Sequence, residues 1–502
     1  MSRIVLFALV LFFSQSFGLE SVRCGTSRFA ENIKNPKKKM LALAGCIPES
    51  LYGTVDSKKT QNFIIYYTKS GPHAIRTNEY IDSIASYLEQ AYKMHKNNGM
   101  KGISGAQQTY HYRQNVPAGL YPIEVIDIGL LRDYEDGELA LTFGITFHPD
   151  YRLHEKTEII IENDFAYGAD CSGNVSKRHF RGLQGVDYYE EWNLILRATV
   201  FHELYHAFQF TYYDWMRYST FWMEASATGV EEISTPNLDD YINYLYEPSS
   251  IFYNLGVSME SEGGDSFEYS WATLYLFLYS KLGSRFDSAI WDYFSNPKYS
   301  KDDFGMQLAR LADSLNKNVE DLFHEYAKRI FYSGTRAKSS PYKLFWEDMP
   351  NWPNWRLNTE AEAPSDLQPG TFDFIRAENE PNTTSVARKS YIKDGKNTVW
   401  IMSRLLEKEY VAPAPEDSAR ETVAYPNPWN PRNPKTPAIH FKNLSKDSKG
   451  IEIRSSNGAL LTRIESKEGN SLSWKPEIKP APGILYYRTL PYGKNKVLIV
   501  QY

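Results

Sequence analysis

The sequence predicts an α+β fold in which a small mixed sheet precedes a helical lobe and β modules follow. Apolar runs with strand composition recur through residues 62–163, which indicates the sheet. Patterns of helical spacing dominate residues 190–331, which indicates the lobe. Short alternating runs typical of strands return after residue 370. Such segregated patterns are typical of α+β proteins.

The predicted sheet begins with a strand at residues 62–68, a stretch rich in Ile and Tyr. A helix from about residue 78 to 96 follows it. Runs rich in β-branched and aromatic residues then predict three more strands. These strands cover residues 121–128, 139–147 and 157–163.

The predicted lobe opens with a helix from about residue 190 to 213, a stretch that contains no Gly or Pro. A second helix, rich in Ala and Ser, carries Glu224 near its start. Its small side chains should let it pack closely against the first helix. Four further helices are predicted at 271–283, 286–295, 303–315 and 319–331.

The segment His202-Glu203-Leu204-Tyr205-His206 places two imidazoles four residues apart, with a carboxylate between them. On a helix, both histidines lie on one face, about one turn apart. This arrangement suits a zinc ion, and Glu203 can then take a proton from the water that the zinc activates. The motif therefore predicts a metal-dependent hydrolase.

A catalytic zinc site needs three protein ligands and an open position, so a third ligand should follow on another element. Glu224 is the predicted third ligand, because an aromatic and alanine-rich frame surrounds it. Glu231 and Glu232 are competing candidates on the same helix. Glu231 lies about two turns further on, and Glu232 has no such frame.

The set His202, Glu203, His206 and Glu224, with eighteen residues from the second histidine to the glutamate, resembles the gluzincin metallopeptidases. The stretch Trp222-Met223-Glu224-Ala225-Ser226-Ala227 is similar to their secreted bacterial, peptidase-MA-like members. The resemblance extends over roughly residues 60–335. It implies a zincin-like domain, a Zn²⁺ cofactor held by His202, His206 and Glu224, and Glu203 as general base.

The same resemblance implies a tyrosine that stabilises the oxyanion of the tetrahedral intermediate, and the best match is Tyr269. Trp271 and Ala272 depart from the family's Y-x-x-G-A pattern at this point. The chain also lacks the G-x-M-E-N segment with which aminopeptidase relatives bind a substrate's amino terminus. The resemblance therefore favours an endopeptidase.

Residues 1–18 read as a cleaved signal peptide, with an apolar run at residues 4–13 and small residues near the expected cleavage site. That run is too short for a convincing membrane span, and no other stretch reaches ~18 apolar residues. We therefore expect a protein that is secreted or displayed at the cell surface. Whether residues 19–60 are removed as a propeptide stays open.

Three cysteines do not make a disulfide framework. Cys24 and Cys46 could form a disulfide in an oxidising compartment, which leaves Cys171 over. An alternative is that Cys24 caps the zinc as a latency switch.

The net charge of −5 over 502 residues offers no basic face for nucleic acid. Aromatic residues make up 15% of the chain, a content compatible with a secreted protein that binds polysaccharide or peptide. The expected partner is a protein or peptide substrate, and we expect the chain to act as a monomer.

The predicted domains are the signal peptide, a zincin-like domain at 19–345, a small β module at 346–412, a Pro-rich linker at 413–423 and a terminal domain at 424–502. Strand patterns that recur every 8–15 residues predict that the terminal domain is an Ig-like β-sandwich. Its sequence motifs Y-P-N-P, I-x-S-x-x-G and P-G-I-L-Y-Y resemble motifs of the sorting domains of the type IX secretion pathway. The resemblance implies contact with secretion machinery. A carbohydrate-binding or stalk sandwich is the alternative.

The function predicted from these features is that of a secreted zinc endopeptidase. The competing prediction is a catalytically inactive, zinc-stabilised adhesin or scaffold. Glu203 argues against it, because a purely structural zinc site needs no base and would be closed by a fourth protein ligand. Hydrolysis of a substrate other than peptides is a third possibility.

Overall fold

The computed structural model describes most of the chain, with gaps at the N-terminus and in several loops. The described residues are 53–128, 142–148, 156–169, 175–179, 185–212, 221–261, 265–299, 302–410, 422–444, 448–466, 471–490 and 495–501. The predicted signal peptide, the three cysteines and most of the predicted linker lie outside these ranges. The described parts form a mixed α+β structure, which confirms the predicted class at that level.

A six-stranded mixed sheet forms the first part of the structure, in the order β1-β2-β4-β6-β3, with β5 paired to β6. Helix α1 (Asn78–Asn97) follows β2, and Thr77 caps its N-terminus. The strands are β1 (Val55–Lys59), β2 (Phe63–Thr68), β3 (Ser104–Gly105), β4 (Tyr121–Ile126), β5 (Gly144–Phe147) and β6 (Lys156–Glu162). A separate hairpin consists of β7 (Ala166–Ala169) and β8 (Val175–His179).

The sheet is mixed: the short strand β3 pairs parallel with β6, whereas β1 and β5 pair antiparallel with their neighbours. Strands β2, β4 and β6 run parallel, with Ile65 opposite Ile123 and Ile123 opposite Ile159. Every residue of β2 and β4 is buried, because layers cover both faces of the sheet. This explains why their sequences are mainly apolar instead of alternating, apart from the buried Glu124 of β4.

Eight α-helices follow in the described residues. Six of them correspond to predicted helices, and the short helices at 242–245 and 265–270 were not predicted. Asp303 and Asn318 cap two of them by accepting hydrogen bonds from the backbone of Met306 and Asp321. The helices are α2 (Trp192–Gln209), α3 (Phe221–Ser234), α4 (Ile242–Leu245), α5 (Asp265–Ser270), α6 (Ala272–Leu282), α7 (Phe286–Phe294), α8 (Phe304–Ser314) and α9 (Val319–Ile330). Within the described ranges, no helix combines the length and apolar character that a membrane crossing requires.

Helix α2 lies at the centre of the molecule. It packs against α1, α3 and the strands β5 and β6, and all of its residues from Ala198 to Gln209 are buried. Helix α3 packs in turn against α5 and α6. The approach to α6 is close, since a Cβ atom on Gly229 would lie 2.3 Å from the ring of Tyr275.

A four-stranded sheet covers the far side of the helical lobe, within the predicted β module. Its strands are β9 (Asn358–Thr359), β10 (Thr371–Arg376), β11 (Arg388–Asp394) and β12 (Asn397–Arg404), in the order β11-β12-β10-β9. Strand β12 packs on α9. Phe372 of β10 contacts Tyr326 of α9 edge to face, so this sheet and the helices share one hydrophobic core.

The C-terminal part has a hydrophobic core of its own, formed between two antiparallel sheets. The three-stranded sheet has the order β13-β14-β17, and the four-stranded sheet has the order β16-β15-β18-β19. The strands are β13 (Val423–Tyr425), β14 (Ile439–Lys442), β15 (Gly450–Ser455), β16 (Leu460–Glu465), β17 (Ser471–Trp474), β18 (Gly483–Leu490) and β19 (Lys496–Val500). Trp429 is fully buried in this core.

A buried carboxylate connects this C-terminal unit to the helical lobe. Glu452 on β15 accepts hydrogen bonds from Arg454, Arg463 and Arg488 of its own unit and from Arg285, which precedes α7. The Arg285 Nη1 to Glu452 Oε2 distance is 3.2 Å. Burial opposes ionisation of Glu452, but the arginines outweigh it and lower its pKa to about 2. The carboxylate is therefore ionised at neutral pH.

Candidate metal centre

The turn of α2 that contains the motif brings its two imidazoles together. Nε2 of His202 and Nε2 of His206 lie 2.9 Å apart, as expected for residues one helical turn apart on one face. Glu224, in the first turn of α3, directs Oε2 to 3.5 Å from each of these nitrogens. All three side chains are buried. The structure thus brings together the three residues that the sequence proposes as ligands.

These three atoms fit a small metal ion. Ligand atoms about 2.0–2.2 Å from a tetrahedral zinc lie about 3.3–3.6 Å from one another. The two 3.5 Å separations match this range, and the 2.9 Å separation of the histidine nitrogens is somewhat shorter. Within the described part of the chain, Glu224 Oε2 is buried, and its polar neighbours are the two imidazole nitrogens at 3.5 Å. A buried carboxylate oxygen without a closer partner is costly unless a cation compensates it. The group could therefore hold a metal ion.

The charge state of Glu224 suits that role. Burial by itself would raise the pKa of this carboxyl group. The nearby His206 and His202 side chains outweigh burial and lower the pKa to about 2. Next to these imidazoles, Glu224 is favoured in its anionic form, which is the form that binds a metal ion.

The outer nitrogen of each histidine also has a partner. Nδ1 of His202 contacts Oε1 of Glu231. Nδ1 of His206 lies 2.7 Å from Oε1 of Gln209, and the Gln209 amide nitrogen donates to Met223 O at 3.1 Å. With its nitrogen used in that way, Gln209 presents an acceptor to His206. A proton on Nδ1 leaves the lone pair of Nε2 for a metal.

Glu231 and Glu232, the other candidates for the third ligand, make different contacts. Glu231 lies seven residues after Glu224, two turns along the same face of α3, and contacts His202 from behind. Glu232 accepts a hydrogen bond at 2.9 Å from Nε1 of Trp346, away from the histidines. The helical spacing of Glu224 and Glu231 was visible in the sequence, whereas the role of Gln209 was not.

Glu203 faces strand β5. Its Oε2 accepts a hydrogen bond at 2.6 Å from the hydroxyl of Thr146, which also lies 2.8 Å from the Glu203 carbonyl oxygen. Two residues earlier, a Cβ atom on Gly144 would lie 2.4 Å from Cγ of Glu203. Only glycine lets the strand approach this carboxylate so closely.

A small cavity lies beside the base. It has a volume of about 20 Å³ and is lined by residues that include His202, Glu203, Glu231 and Phe143. A cavity of roughly 10–15 Å³ can hold one water molecule. There is thus room for about one water next to both a predicted ligand and the predicted base.

Tyr269, the residue proposed to stabilise an oxyanion, lies on the short helix α5. Its ring is buried and stacks on Tyr244, with centroids 4.5 Å apart. Helix α5 packs against α3, which carries Glu224.

Comparisons with protein-family models, with curated proteins and with solved structures were made for the whole chain. None of the three gives a match. The argument on function therefore depends on the site itself.

Proposed function

We propose that this protein is a secreted zinc-dependent endopeptidase, with a zincin-like catalytic domain of the gluzincin type. One observation carries the proposal: Nε2 of His202, Nε2 of His206 and Oε2 of Glu224 converge in a buried site. Glu203 lies between the two histidines in sequence and has its carboxylate held by Thr146. Three donors with a carboxylate beside them suit hydrolysis better than a closed structural site.

The donor set favours zinc. Two imidazole nitrogens and one carboxylate oxygen are typical of catalytic zinc sites with an open position. Sites for Ca²⁺ or Mg²⁺ use oxygen donors only, and two histidines would suit those ions poorly. Nitrogen ligands also suit Cu²⁺ and Ni²⁺, so metal analysis of the purified protein is part of the test.

Zinc bound here would lower the pKa of a water and polarise the scissile carbonyl. Glu203 accepts the proton of the attacking water and later delivers it to the leaving amine. Thr146 holds the Glu203 carboxylate in place through its hydroxyl. Glu231 and Gln209 hold the two imidazoles so that their Nε2 atoms point toward one position. Tyr269 is proposed to donate a hydrogen bond to the oxyanion.

An extended peptide is the substrate class that we propose for this site. Gly144 and Thr146 of β5 contact Glu203, so a peptide that lies along this part of the sheet would pass close to the base. Main-chain hydrogen bonds are a common way in which an extended peptide is held against a sheet.

The rest of the chain is proposed to handle export. Residues 1–18 would direct secretion and then be removed. Residues 424–502 would form an Ig-like sorting domain for type IX secretion machinery, as their motifs suggest. Deleting residues 424–502 should retain the protein inside the cell while its catalytic part still binds zinc. Unchanged delivery outside the cell would contradict the sorting role and favour a carbohydrate-binding or stalk domain.

The deciding experiment combines metal analysis with cleavage of casein as an unstructured substrate. Wild type should contain one zinc per chain and cleave casein. Glu203→Gln should retain the zinc and lose activity by ~10²–10⁴-fold, the usual contribution of a general base. Glu190→Gln removes an exposed carboxylate just before the same helix and should behave like wild type.

Other outcomes would separate the alternatives. A fully active Glu203→Gln variant would show that the mechanism is wrong. One zinc per chain with no cleavage of casein or of a peptide library would favour the inactive adhesin or scaffold. Folded protein without zinc would remove the basis of the proposal.

A further inference from the structure

A second buried group of carboxylates lies near the far end of α3. Oxygens of Glu232, Asp239 and Asp348 lie within 4.8 Å of one another. Glu232 is 2% exposed and Asp348 is 8% exposed, whereas Asp239 is partly accessible. The three residues come from α3, from the loop that follows it, and from the segment that precedes β9.

The hydrogen bonds of this group are incomplete. Oε1 of Glu232 accepts from Nε1 of Trp346 at 2.9 Å. In the part of the chain described here, Oε2 of Glu232, Oδ1 of Asp239 and Oδ2 of Asp348 are buried, and their hydrogen bonds are limited to protons shared among the three carboxyl groups. Three such oxygens in one place are unusual, because buried polar atoms nearly always have partners.

Another buried cluster shows that proximity alone does not produce this pattern. His111, Glu124 and Glu158 also lie within 4.8 Å of one another. There, Glu124 accepts the backbone N–H groups of His111 and Tyr112, and Glu158 accepts that of Tyr110. Those carboxylates hold a loop against the sheet, so their burial is explained without a ligand.

We propose that Glu232, Asp239 and Asp348 bind a calcium ion. Ca²⁺ takes six to eight oxygen ligands, mainly carboxylates, carbonyls and water. Three carboxylates offer up to six oxygens, and the partial exposure of Asp239 provides a route for the ion and for water ligands. No nitrogen or sulfur donor belongs to the group, which disfavours zinc.

The titration behaviour of the empty group is consistent with a missing cation. Burial and the neighbouring carboxyls raise the pKa of Glu232 to about 9 and that of Asp348 to about 7. Without a cation, the group retains protons at neutral pH. Calcium binding would release each of these protons to solvent and leave the carboxylates ionised. Calcium affinity should therefore increase with pH between about 6 and 9.

The position of the site suggests its role. Helix α3 carries Glu224 and Glu231 at one face and Glu232 near its end. A calcium ion would fasten that end to the loop at Asp239 and to the segment at Asp348. Such a link stabilises the folded state in proportion to calcium concentration. This role does not depend on the proposed peptidase activity.

The test uses the full chain, exchanged into calcium-free buffer. At pH 8, millimolar CaCl₂ should raise the Tm by several degrees, and equal MgCl₂ should do less. Tb³⁺ should bind with one site per chain, show tryptophan-sensitised luminescence through Trp346, and be displaced by Ca²⁺. The His206→Ala variant should respond in the same way, which separates this site from the proposed zinc centre.

Variants locate the site. Glu232→Gln and Asp348→Asn imitate the protonated carboxyls, so both should fold and lose the calcium-dependent rise in Tm. Asp239→Asn offers a more accessible position for the same test. Glu347→Gln changes the charge of an exposed neighbour and should retain the response. The proposal is overturned if calcium leaves the Tm of wild type unchanged at pH 8, or if Asp348→Asn still responds.

Discussion

Glu231 contacts Nδ1 of His202 from the same face of the helix that directs Glu224 toward Nε2 of His202 and His206. Two carboxylates seven residues apart thus act on opposite sides of one imidazole. One is placed to bind a metal, and the other orients a ligand. A carboxylate behind a histidine ligand fixes its tautomer and increases its basicity.

Replacing Glu231 by Ala should therefore weaken metal binding without abolishing it. We expect a ~10–100-fold lower zinc affinity, the usual cost of losing such a partner. Competition with a chromogenic chelator would measure this affinity. The matched control is Glu190→Ala, which removes an exposed glutamate. Unchanged affinity in Glu231→Ala would show that the contact does not support the ligand.

Gln209→Leu should affect both metal binding and stability. The change removes the acceptor for Nδ1 of His206 and the donor to Met223 O and Ser226 Oγ. Buried polar groups left without partners cost about 1–3 kcal/mol each. We expect a lower free energy of unfolding in urea, and a zinc affinity reduced by ~10-fold or more. Gln209→Glu keeps an acceptor for His206 and should retain more of the affinity than Gln209→Leu.

Gly144→Ala should reduce catalysis more than zinc content. The added Cβ would lie 2.4 Å from Cγ and 2.7 Å from Oε1 of Glu203, so the base must move. A displacement of this size can cost ~10²-fold in rate. Casein cleavage and zinc content would be measured together. Gly102→Ala is the matched control, because its Cβ would meet no atom within 4 Å. Equal activity of the two variants would contradict the close packing inferred here.

Tyr269→Phe tests the proposed oxyanion donor. If the hydroxyl acts only in the transition state, the variant should lose ~10²–10³-fold in kcat with little change in KM. Tyr244→Phe, in the ring stacked on Tyr269, controls for packing. Full activity of Tyr269→Phe would assign the oxyanion donor to another group.

Glu452→Gln should destabilise the contact between the C-terminal unit and the helical lobe at neutral pH. The pKa of Glu452 is lowered to about 2, so its ionised form stabilises the folded state above the unfolded pKa. A shift of this size corresponds to roughly 3 kcal/mol. That contribution should be lost as the pH falls from about 4.5 to about 2. Urea unfolding at pH 7 and at pH 2.5 would measure it.

The control for that prediction is Glu465→Gln, which replaces an exposed carboxylate on the neighbouring strand. It should change stability little at either pH, because exposed ion pairs contribute about 0–1 kcal/mol. A Glu452→Gln variant as stable as wild type at pH 7 would show that the arginines need no counter-charge.

The sequence by itself determined the mixed α+β class, most helix and strand positions, and the placement of His202, Glu203 and His206 on one helix. These features depend on periodicity and on spacing within one helix, so they are readable from a single chain. His202 and His206 are one turn apart whatever surrounds them. The strand β2 was likewise recognisable because its burial on both faces requires a continuous apolar run.

Only the tertiary structure decided how distant residues meet. The packing of α3 against α2 brings Glu224 to the histidines, and it also places Glu231 and Gln209 behind them. The contact of Thr146 and Gly144 with Glu203 depends on where β5 lies against α2. The grouping of Glu232 and Asp239 with Asp348, more than 100 residues away in sequence, depends on packing in the same way. Local periodicity carries no information on such contacts, because they are selected by the combined burial of several elements.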